Sequence, residues 1–331
     1  MFQKQIDILA IGDTTTDAFI RLKDAHVNCK VNTNDCEICM PFGDKIPFEY
    51  VKVVKAVGNA ANAAVSAARL GLRSALVSDL GADQGGKDDL AELQKNGVVT
   101  KYIKVHANKP SNYHFVLWYD VDRTILVKHT DYDYRLPVFP APKWIYLTSL
   151  ASTTYNYHME LADYLEKNPN VKLAFQPGTF QMELGFDKLA RIYKRTDFLI
   201  LNVEEAQRVL KTKTRDIKPL LKALADYGPK MVAITDNTNG AYLFDGDHYY
   251  HVPMYPDPRP AFERTGCGDA WASTFVTALC LGHSPLEALI WAPVNPMSVA
   301  QFVGAQEGLL TRDQLEWWLS RAPEEYKVKE I

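Results

Sequence analysis

The sequence contains no run of about eighteen apolar residues, the length that a membrane-spanning helix requires. Its first residues, MFQKQIDILAIGD, do not place a long apolar segment behind a basic one, as an export signal does. We therefore expect neither membrane insertion nor export, a cytoplasmic location, and no membrane partner.

An excess of positive charge is also missing. Lys and Arg number 37 against 40 Asp and Glu, which gives a formal net charge of −3. Proteins that bind nucleic acid concentrate basic residues on one face or segment. The composition therefore argues against a nucleic-acid partner.

Cysteine is scarce, with 5 in 331 residues, an odd number that does not indicate a disulfide framework. Reduced thiols fit the expected cytoplasmic location. Together with His26, the cysteines Cys29, Cys36 and Cys39 form the spacing H-x2-C-x6-C-x2-C, which a tetrahedral zinc ion could accept. The spacing fits no standard zinc finger, so three reduced cysteines beside a surface histidine are the favoured alternative.

The first apolar segment, IDILAIG, is not followed by a G-x-G-x-x-G sequence, which argues against a nicotinamide-dependent dehydrogenase. Short β-rich segments alternate instead with helical patterns, which is typical of a parallel sheet covered by helices. The predicted strands are 6–12, 74–80, 144–150, 171–177, 197–202 and 231–236, and the clearest helices are 59–71 and 157–168. We expect one doubly wound, mostly parallel α/β domain over residues 1–331, with ligands at the carboxyl ends of its strands.

Two regions, 18–55 and 101–135, break this alternation. In the second region, YIKVHA, NYHFVLWYD and RTILVKH read as antiparallel strands joined by polar turns such as DVDR. Strands of this kind can form a small antiparallel lid over an active site, or an edge sheet that has no function of its own.

The segment ERTGCGDAWAS places Gly266 and Gly268 around Cys267 at the start of a helical pattern. Glycines here let backbone N–H groups approach an anion, which the helix dipole also stabilises. Asp269 follows in the first turn, where it could accept the proton of a hydroxyl that attacks a bound phosphate. The segment alone is explained slightly better by a turn and a carboxylate that complements the helix dipole.

Two further segments could contact a nucleotide. Asn202 and Glu205 open a helix after the strand at 197–202, and an amide and a carboxylate there could hold a hydrated magnesium ion. The same pair forms a capping box, which is the favoured reading of this segment alone. Thr235 and Gly240 lie in the loop TDNTNG, which could contact phosphates or a base, or be only a turn.

Four more residues could bind a polyol. Asp13 and Asp17 follow the first strand, where they could accept hydrogen bonds from vicinal hydroxyls, although turns rich in Asp look similar. Gly58 precedes a small-residue helix that carries Asn62, whose amide can both donate to and accept from a hydroxyl. A closely packed core helix would have the same composition.

Taken together, the order and spacing of these segments resemble the ribokinase-like (PfkB) carbohydrate and nucleoside kinases over nearly the whole chain. The family signature D-T-x-G-A-G-D is similar to residues 263–269, and the family motif N-x-x-E looks like Asn202 and Glu205. The N-terminal signature, two glycines before a small-residue helix with an asparagine, is similar to VGNAANAA. VDRTIL is similar to the lid hairpin of the family.

The resemblance implies a ribokinase-like fold with a lid, and ATP-dependent phosphoryl transfer to a primary hydroxyl of a sugar or nucleoside. It implies that Asp269 is the catalytic base and that residues 266–268 form the anion hole. ATP with Mg2+ and the acceptor would then be bound by two groups of residues: Asn202, Glu205, Thr235, Gly240 and Thr265 for the nucleotide, and Asp13, Asp17, Gly58 and Asn62 for the acceptor.

The chain also departs from the family pattern. Glu263 and Arg264 replace the Asp and Thr of the signature in a neighbourhood that often helps to form a monovalent-cation site, which leaves a potassium requirement open. Cys267 replaces alanine, and its thiol at a helix N-terminus is expected to be acidic and easily oxidised. The alternatives are a kinase of a phosphorylated sugar, with Arg123 as an anion ligand in the lid, and a sensor without catalysis. An exposed lid sheet could also pair with a second copy of the chain.

Overall fold

The computed structural model describes residues 5–29, 36–119 and 122–331. Its strands are, in chain order, β1 (Ile8–Ile11), β2 (Thr15–Leu22), β3 (His26–Cys29), β4 (Cys36–Cys39), β5 (Phe48–Val57), β6 (Ser74–Val77), β7 (Asp79–Gly81), β8 (Lys104–His106), β9 (Tyr113–Tyr119), β10 (Asp122–Leu126), β11 (Trp144–Leu147), β12 (Lys172–Phe175), β13 (Phe198–Asn202), β14 (Met231–Thr235), β15 (Ala241–Phe244), β16 (Tyr249–Val252) and β17 (Lys329–Glu330). Its helices are α1 (Asn59–Arg69), α2 (Gln84–Lys95), α3 (Tyr155–Lys167), α4 (Thr179–Arg195), α5 (Val203–Leu210), α6 (Ile217–Ala225), α7 (Cys267–Leu281), α8 (Pro285–Trp291), α9 (Val294–Val299) and α10 (Arg312–Leu319), with a 3-10 turn at Asn237–Asn239.

The central sheet has the strand order β17-β16-β15-β14-β13-β12-β11-β1-β6. The strands from β14 to β6 are parallel, and β15, β16 and β17 extend the sheet in antiparallel pairing. β1, β6 and β11 are buried along their whole length, because helices cover both faces of the sheet. The predicted doubly wound, mostly parallel α/β fold is confirmed.

Each central strand alternates between two layers of the core. In β1, Ile8 and Ala10 pack on the side of α1 and α7, whereas Leu9 and Ile11 pack on the side of α3 and α4. Helix α7 is buried from Asp269 to Ala278 because α1, α8 and α9 all contact it. Its first turn is therefore mounted on a rigid part of the core. Among the helices of the described ranges, none combines the length and the apolar character that crossing a membrane requires.

A second sheet, the lid sheet, has the strand order β10-β9-β2-β5. β2 pairs antiparallel with β5 and parallel with β9, and β9 pairs antiparallel with β10. On its inner face, Phe19, Val116 and Trp118 form a small apolar cluster with Val303 of the body. The predicted antiparallel lid is thus present, with one parallel pair inside it.

The structure differs from the predicted strands in two places. The strand predicted at 74–80 divides at Ser78, whose carbonyl accepts a hydrogen bond from Lys104 N at 3.0 Å. Beyond it, β7 leaves the central sheet and pairs with β8, which was expected within the lid. A buried contact of 2.7 Å between Asp79 Oδ1 and His106 Nε2 holds this pair. The first two residues of the predicted turn DVDR lie outside the described residues.

The prediction that the cysteines are reduced is wrong for two of them. β3 and β4 pair in a register that sets Cys29 opposite Cys36, and these two residues form a disulfide. The same register sets His26 opposite Cys39, whose thiol is free. Within residues 5–29, 36–119 and 122–331, no group of three or more His, Cys, Asp or Glu residues is arranged to hold a metal ion. The zinc hypothesis is therefore not supported, since two of its sulfur ligands bond to each other.

Candidate active site

Gly266 begins the site at the N-terminus of α7. Its φ of 81° is left-handed, and a Cβ atom at this position would lie 2.2 Å from the Cβ atom of Ala305. A side chain is therefore excluded on two grounds. No side chain caps α7, so the N–H groups of its first turn have no side-chain partner and can bind an anion.

Asp269 lies in this first turn and is buried. Its Oδ1 accepts hydrogen bonds from Asn59 Nδ2 at 2.7 Å and from Gln176 Nε2 at 3.1 Å. Its Oδ2 accepts one from Asn62 Nδ2 at 2.8 Å. Burial raises the pKa of Asp269, and the three amide donors oppose this rise. The Asp269 carboxylate is therefore held in a fixed orientation, and it is more basic than the carboxylate of an exposed aspartate.

Two cavities meet at this helix terminus. The Asp269 cavity has about 560 Å3 and extends from Asp269 to the inner face of the lid. The Gly240 cavity has about 390 Å3 and extends from α7 over the loop between β14 and β15. Both are lined by Gly268, Asn202, Thr235, Arg123 and Arg264, so these residues form their common wall.

The predicted site residues converge on these cavities, with the exception of Asp13. Those that line the Asp269 cavity are Asp17, Gly58, Asn62, Asn202, Glu205, Thr235, Thr265, Gly266, Gly268 and Asp269. Cys267 and Gly240 line the Gly240 cavity. A single continuous site therefore contains nearly all the residues that the sequence motifs indicated.

Asn202 and Glu205 form the capping box that their spacing predicts. Asn202 Oδ1 accepts from Glu205 N at 2.7 Å, and Glu205 Oε2 accepts from Asn202 N at 2.8 Å. Burial raises the pKa of Glu205, and the charge of Asp269 adds to the rise. Glu205 Oε1 accepts no hydrogen bond from the described residues, so it remains as an oxygen ligand in a cavity that also contains the carboxylates of Asp17 and Asp269. This donor set fits a hydrated magnesium ion, which binds one or two carboxylates and retains water.

Asp17 and Asp13 each lie beside a histidine of the lid region. Asp17 Oδ1 is 3.3 Å from His114 Nδ1, and Asp13 Oδ2 is 3.3 Å from His129 Nδ1. The other oxygen of Asp13 accepts from Tyr134 Oη at 2.9 Å. Burial, with the nearby charge of Asp13, raises the pKa of Tyr134, so this phenol stays a donor. Both histidines line the Asp269 cavity, and Asp13 lies behind His129.

Glu263 organises the loop before α7. Its Oε1 accepts from Thr265 N at 2.7 Å and from the Thr265 hydroxyl, and its Oε2 accepts from Gly304 N at 3.3 Å. Arg123 of lid strand β10 lies with Nε 3.8 Å from Glu263 Oε1 and so connects the lid to this loop. The Arg264 side chain is exposed in the common wall, where it forms no hydrogen bond or ion pair with the described part of the chain, and its backbone carbonyl accepts from Cys267 N at 3.3 Å.

The expectation of an acidic thiol at Cys267 is wrong. Burial raises the pKa of Cys267 to about 12, although Arg264 opposes the rise. Its Sγ lies 3.7 Å from the carbonyl oxygen of Pro296. Loss of hydration outweighs the helix dipole, since burial always disfavours the charged form of a thiol.

Several residues of the site carry no signal in the motifs. Asn59 lies in the same VGNAANAA segment as Asn62, and Gln176 follows β12 at the carboxyl edge of the sheet, so position could have indicated both. His114, His129 and Tyr134 offered no such signal, because the lid pairing and the path of residues 127–135 bring the two histidines to the cavity and Tyr134 to Asp13.

The family model described as pfkB family carbohydrate kinase matches residues 51–311, which include all of α7 and exclude Asp13 and Asp17. The ribokinase of Bacillus subtilis is 28% identical over 286 residues, 80% of this chain and 87% of that protein. The nucleoside kinase of Methanothermobacter thermautotrophicus is 24% identical over 313 residues, 92% of this chain and 91% of that protein. Among solved structures, the Arabidopsis thaliana ribokinase complexed with ribose and ATP has a TM-score of 0.76 at 19% identity, covering 96% of this chain and 99% of that one.

Proposed function

The chain belongs to the pfkB family of carbohydrate kinases and is a sugar or nucleoside kinase, and we propose that it transfers the γ-phosphoryl group of ATP to a primary hydroxyl with Asp269 as the base. The observation that carries this proposal is Asp269 itself: a buried carboxylate held by three amides, one residue beyond the N-terminal glycines of a helix without a side-chain cap. The proposal also assigns roles to the residues that line both cavities, and it places the acceptor in the Asp269 cavity and ATP in the Gly240 cavity.

In the proposed reaction, the acceptor hydroxyl lies in the Asp269 cavity and the triphosphate extends into it from the Gly240 cavity across the common wall. Asp269 takes the hydroxyl proton as the hydroxyl oxygen forms a bond to the γ-phosphorus. The bond from that phosphorus to the bridging oxygen breaks, and ADP leaves. Asn59, Asn62 and Gln176 would keep the ionised carboxylate turned toward the hydroxyl.

The first turn of α7 would stabilise the charge on the transferring group. Its unsatisfied N–H groups around Gly268 provide donors in a fixed position, which require no reorganisation during the reaction. Arg264 adds a cation in the same wall, and its charge also acts on the Asp257 carboxyl of the Gly240 cavity. Asn202 and Glu205 would hold magnesium, which neutralises part of the charge of the triphosphate when bound.

The acceptor end of the Asp269 cavity favours a neutral polyhydroxy group. A carboxylate beside Nδ1 of each histidine favours the tautomer with the proton on Nδ1, which leaves Nε2 as an acceptor. Together with Asp17, His129 then offers acceptors to the hydroxyl protons of a sugar or of the ribose of a nucleoside, whereas His114 Nε2 is buried. Asp13 would act indirectly, by orienting His129.

A kinase of a phosphorylated sugar is the second candidate, because Arg123 and Arg264 both line the Asp269 cavity. They lie on the side of the anion hole, however, and Arg123 already faces Glu263. This arrangement favours the phosphates of ATP over a phosphate on the acceptor. No monovalent cation is included in the proposal, since the Glu263 oxygens already have donors.

The deciding experiment measures ATP consumption with magnesium against a panel of free sugars, nucleosides and sugar phosphates. We expect turnover with a free sugar or nucleoside, and a loss of kcat of about a thousandfold in Asp269→Asn, because the base is removed at constant size. Affinity for ATP should stay within a fewfold, since Asp269 does not line the Gly240 cavity.

Asp313→Asn is the matched control, because Asp313 also lies in the first turn of a helix, α10, and lines neither cavity. Its kcat should equal that of the wild type. Turnover of sugar phosphates alone would favour the second candidate, and turnover near the wild-type value in Asp269→Asn would refute the role of the base.

A further inference from the structure

Gln306 lies in the loop after α9, next to Ala305 of the Asp269 cavity, and is buried. Its Nε2 donates to the carbonyl of Ala56 at 2.7 Å and to Asn62 Oδ1 at 3.0 Å. The backbone carbonyl of Gln306 accepts a hydrogen bond from Arg69 Nη1 at 2.7 Å. Gln306 does not touch Asp269, but its side chain contacts one of the three amides that do.

These bonds fix the orientation of two side-chain amides. Both N–H groups of Gln306 Nε2 donate to oxygen atoms, one to the Ala56 carbonyl and one to Asn62 Oδ1. If the Gln306 amide were reversed, its Oε1 would face these two acceptors and no hydrogen bond could form. Asn62 must therefore turn Oδ1 toward Gln306, which leaves Nδ2 to donate to Asp269 Oδ2 at 2.8 Å. A reversed Asn62 would place an oxygen against the carboxylate. The hydrogen-bonded chain from Ala56 to Asp269 thus has one allowed direction.

The hydrogen-bonded series that ends at Asp269 begins at Ala56, at the junction between the lid and the body. Ala56 ends the exposed part of β5, and its φ of 55° lies in the left-handed region, which is uncommon for a residue with a Cβ atom. Its N–H donates to Asp89 Oδ1 at 2.7 Å, and its carbonyl accepts from Gln306. Hydrogen bonds at both backbone groups hold this conformation.

We infer that Gln306 is a positioning residue of the phosphoryl-transfer site. It turns the Asn62 amide so that it donates to Asp269, and it ties this donor to the backbone that carries the lid. The inference rests on the proposed role of Asp269 as the base. Without the Gln306 amide, Asn62 rotates, and the carboxylate loses one of the three donors that fix its direction.

Gln306→Met tests the inference, because Met has a similar length and no donor. We expect kcat to fall about tenfold, the usual effect of losing one hydrogen bond to a charged group, with KM for ATP within about twofold. Gln301→Met is the matched control: Gln301 is a buried glutamine of the same segment, and its amide bonds to Arg259 and Met297 only. Its kcat should not change.

A double-mutant cycle separates positioning from a general structural effect. In an Asn62→Ala background, Gln306→Met should cause no further loss of kcat, because the amide through which it acts is gone. An equal loss in both backgrounds would overturn the inference.

A second readout does not depend on turnover. In protein labelled with 15N-asparagine, Gln306→Met should shift the side-chain amide signals of Asn62 and speed their exchange with solvent, whereas Gln301→Met should not. Unchanged Asn62 signals would also overturn the inference. If the wild type has no acceptor-dependent turnover, the proposed function fails, and the NMR comparison alone then decides the positioning role.

Discussion

The thiol of Cys267 is subject to two opposing influences. The positive end of the α7 dipole favours the thiolate, and burial among Pro296 and the apolar side chains beneath it favours the thiol. Burial wins, and the pKa of about 12 leaves on the order of one thiolate in a hundred thousand near neutral pH. Cysteine is therefore acceptable beside the proposed anion hole because it acts there as a small apolar residue.

We predict that Cys267 does not react with an aromatic disulfide reagent at neutral pH. Cys39, on the exposed β3–β4 hairpin, should supply the fast-reacting thiol of the native protein. Counting labelled thiols in Cys267→Ala and Cys39→Ser checks this: the first should match the wild type, and the second should lose one fast equivalent. Loss of a fast equivalent in Cys267→Ala would contradict the prediction.

The Asp89 carboxylate of helix α2 forms hydrogen bonds to two strands of the lid sheet and so connects the lid to the body. Asp89, fully buried, accepts at Oδ1 from Thr16 of β2 at 2.8 Å and from Ala56 of β5 at 2.7 Å. Oδ2 is also buried and has no hydrogen-bond partner among the described residues. Burial raises the pKa of Asp89 from 3.8 to about 6 despite these donors. The folded chain therefore binds this proton more tightly than the unfolded chain.

The sign of the resulting pH dependence follows from that difference. Stability contributed by a carboxyl with a raised pKa is fully present below pH 3.8 and is lost as pH rises through about 6. For Asp89 the loss amounts to about 3 kcal/mol. We predict that the free energy of unfolding of the wild type minus that of Asp89→Asn falls by about this amount between pH 4 and pH 7, as measured by urea unfolding.

Asp88→Asn is the control for this prediction. Asp88 is the neighbouring residue, and Lys55 lowers its pKa, so any effect of its substitution has the opposite sign. A wild-type minus Asp89→Asn difference that stays constant over this pH range would show that burial does not raise the pKa of Asp89 as described.

The outer face of the lid sheet is apolar and has no cover within the described chain. One row across the sheet consists of Val53, Ala18, Phe115 and Leu126, and the next contains Val51, Ile20 and Leu117. Val53, Phe115 and Leu126 expose 47%, 46% and 52% of their surface, which is more than an isolated apolar residue explains. A second copy of this chain would present the same face and could cover it.

We therefore predict a homodimer through the lid. Val53→Glu should convert the dimer to a monomer in sedimentation experiments, because it places two like charges at the centre of the contact. Val138→Glu is the matched control, since Val138 is an exposed valine that belongs to no strand of the lid sheet. A wild type that sediments as a monomer at micromolar concentration would refute the dimer.

The sequence predicts those parts of the molecule that depend on local patterns. Gly266 and Gly268 locate the start of α7, and the capping pair Asn202 and Glu205 locates the start of α5, because these signals act within one turn. The strands β1, β11 and β13 follow from apolar runs in the same way. The pairing of Asp79 with His106, of Asp13 with His129 and of Cys29 with Cys36 depends on sheet register and loop path, which a local pattern does not contain.

The same reasoning separates the predictable part of the site from the rest. Asp269 and Asn202 are recognisable because each lies at a helix start, and their neighbours in sequence have defined roles. Gln306 and His129 are not recognisable in this way, since each acts on a residue that is remote in the chain. Motifs therefore identify the proposed reacting end of the site better than the residues proposed to select the acceptor.

The interleaved order of the lid sheet has a mechanical consequence. β2 lies between β5 of its own hairpin arm and β9 of the other arm, so neither arm can lift without breaking the parallel β2–β9 pairing. A lid made of one hairpin can move away from the body by itself. This four-stranded sheet must instead move as one unit, about the four chain segments that connect it to the body. In the proposed reaction, the acceptor would enter and the product would leave by the same motion of this sheet, and we expect a variant that stiffens either arm to slow both steps.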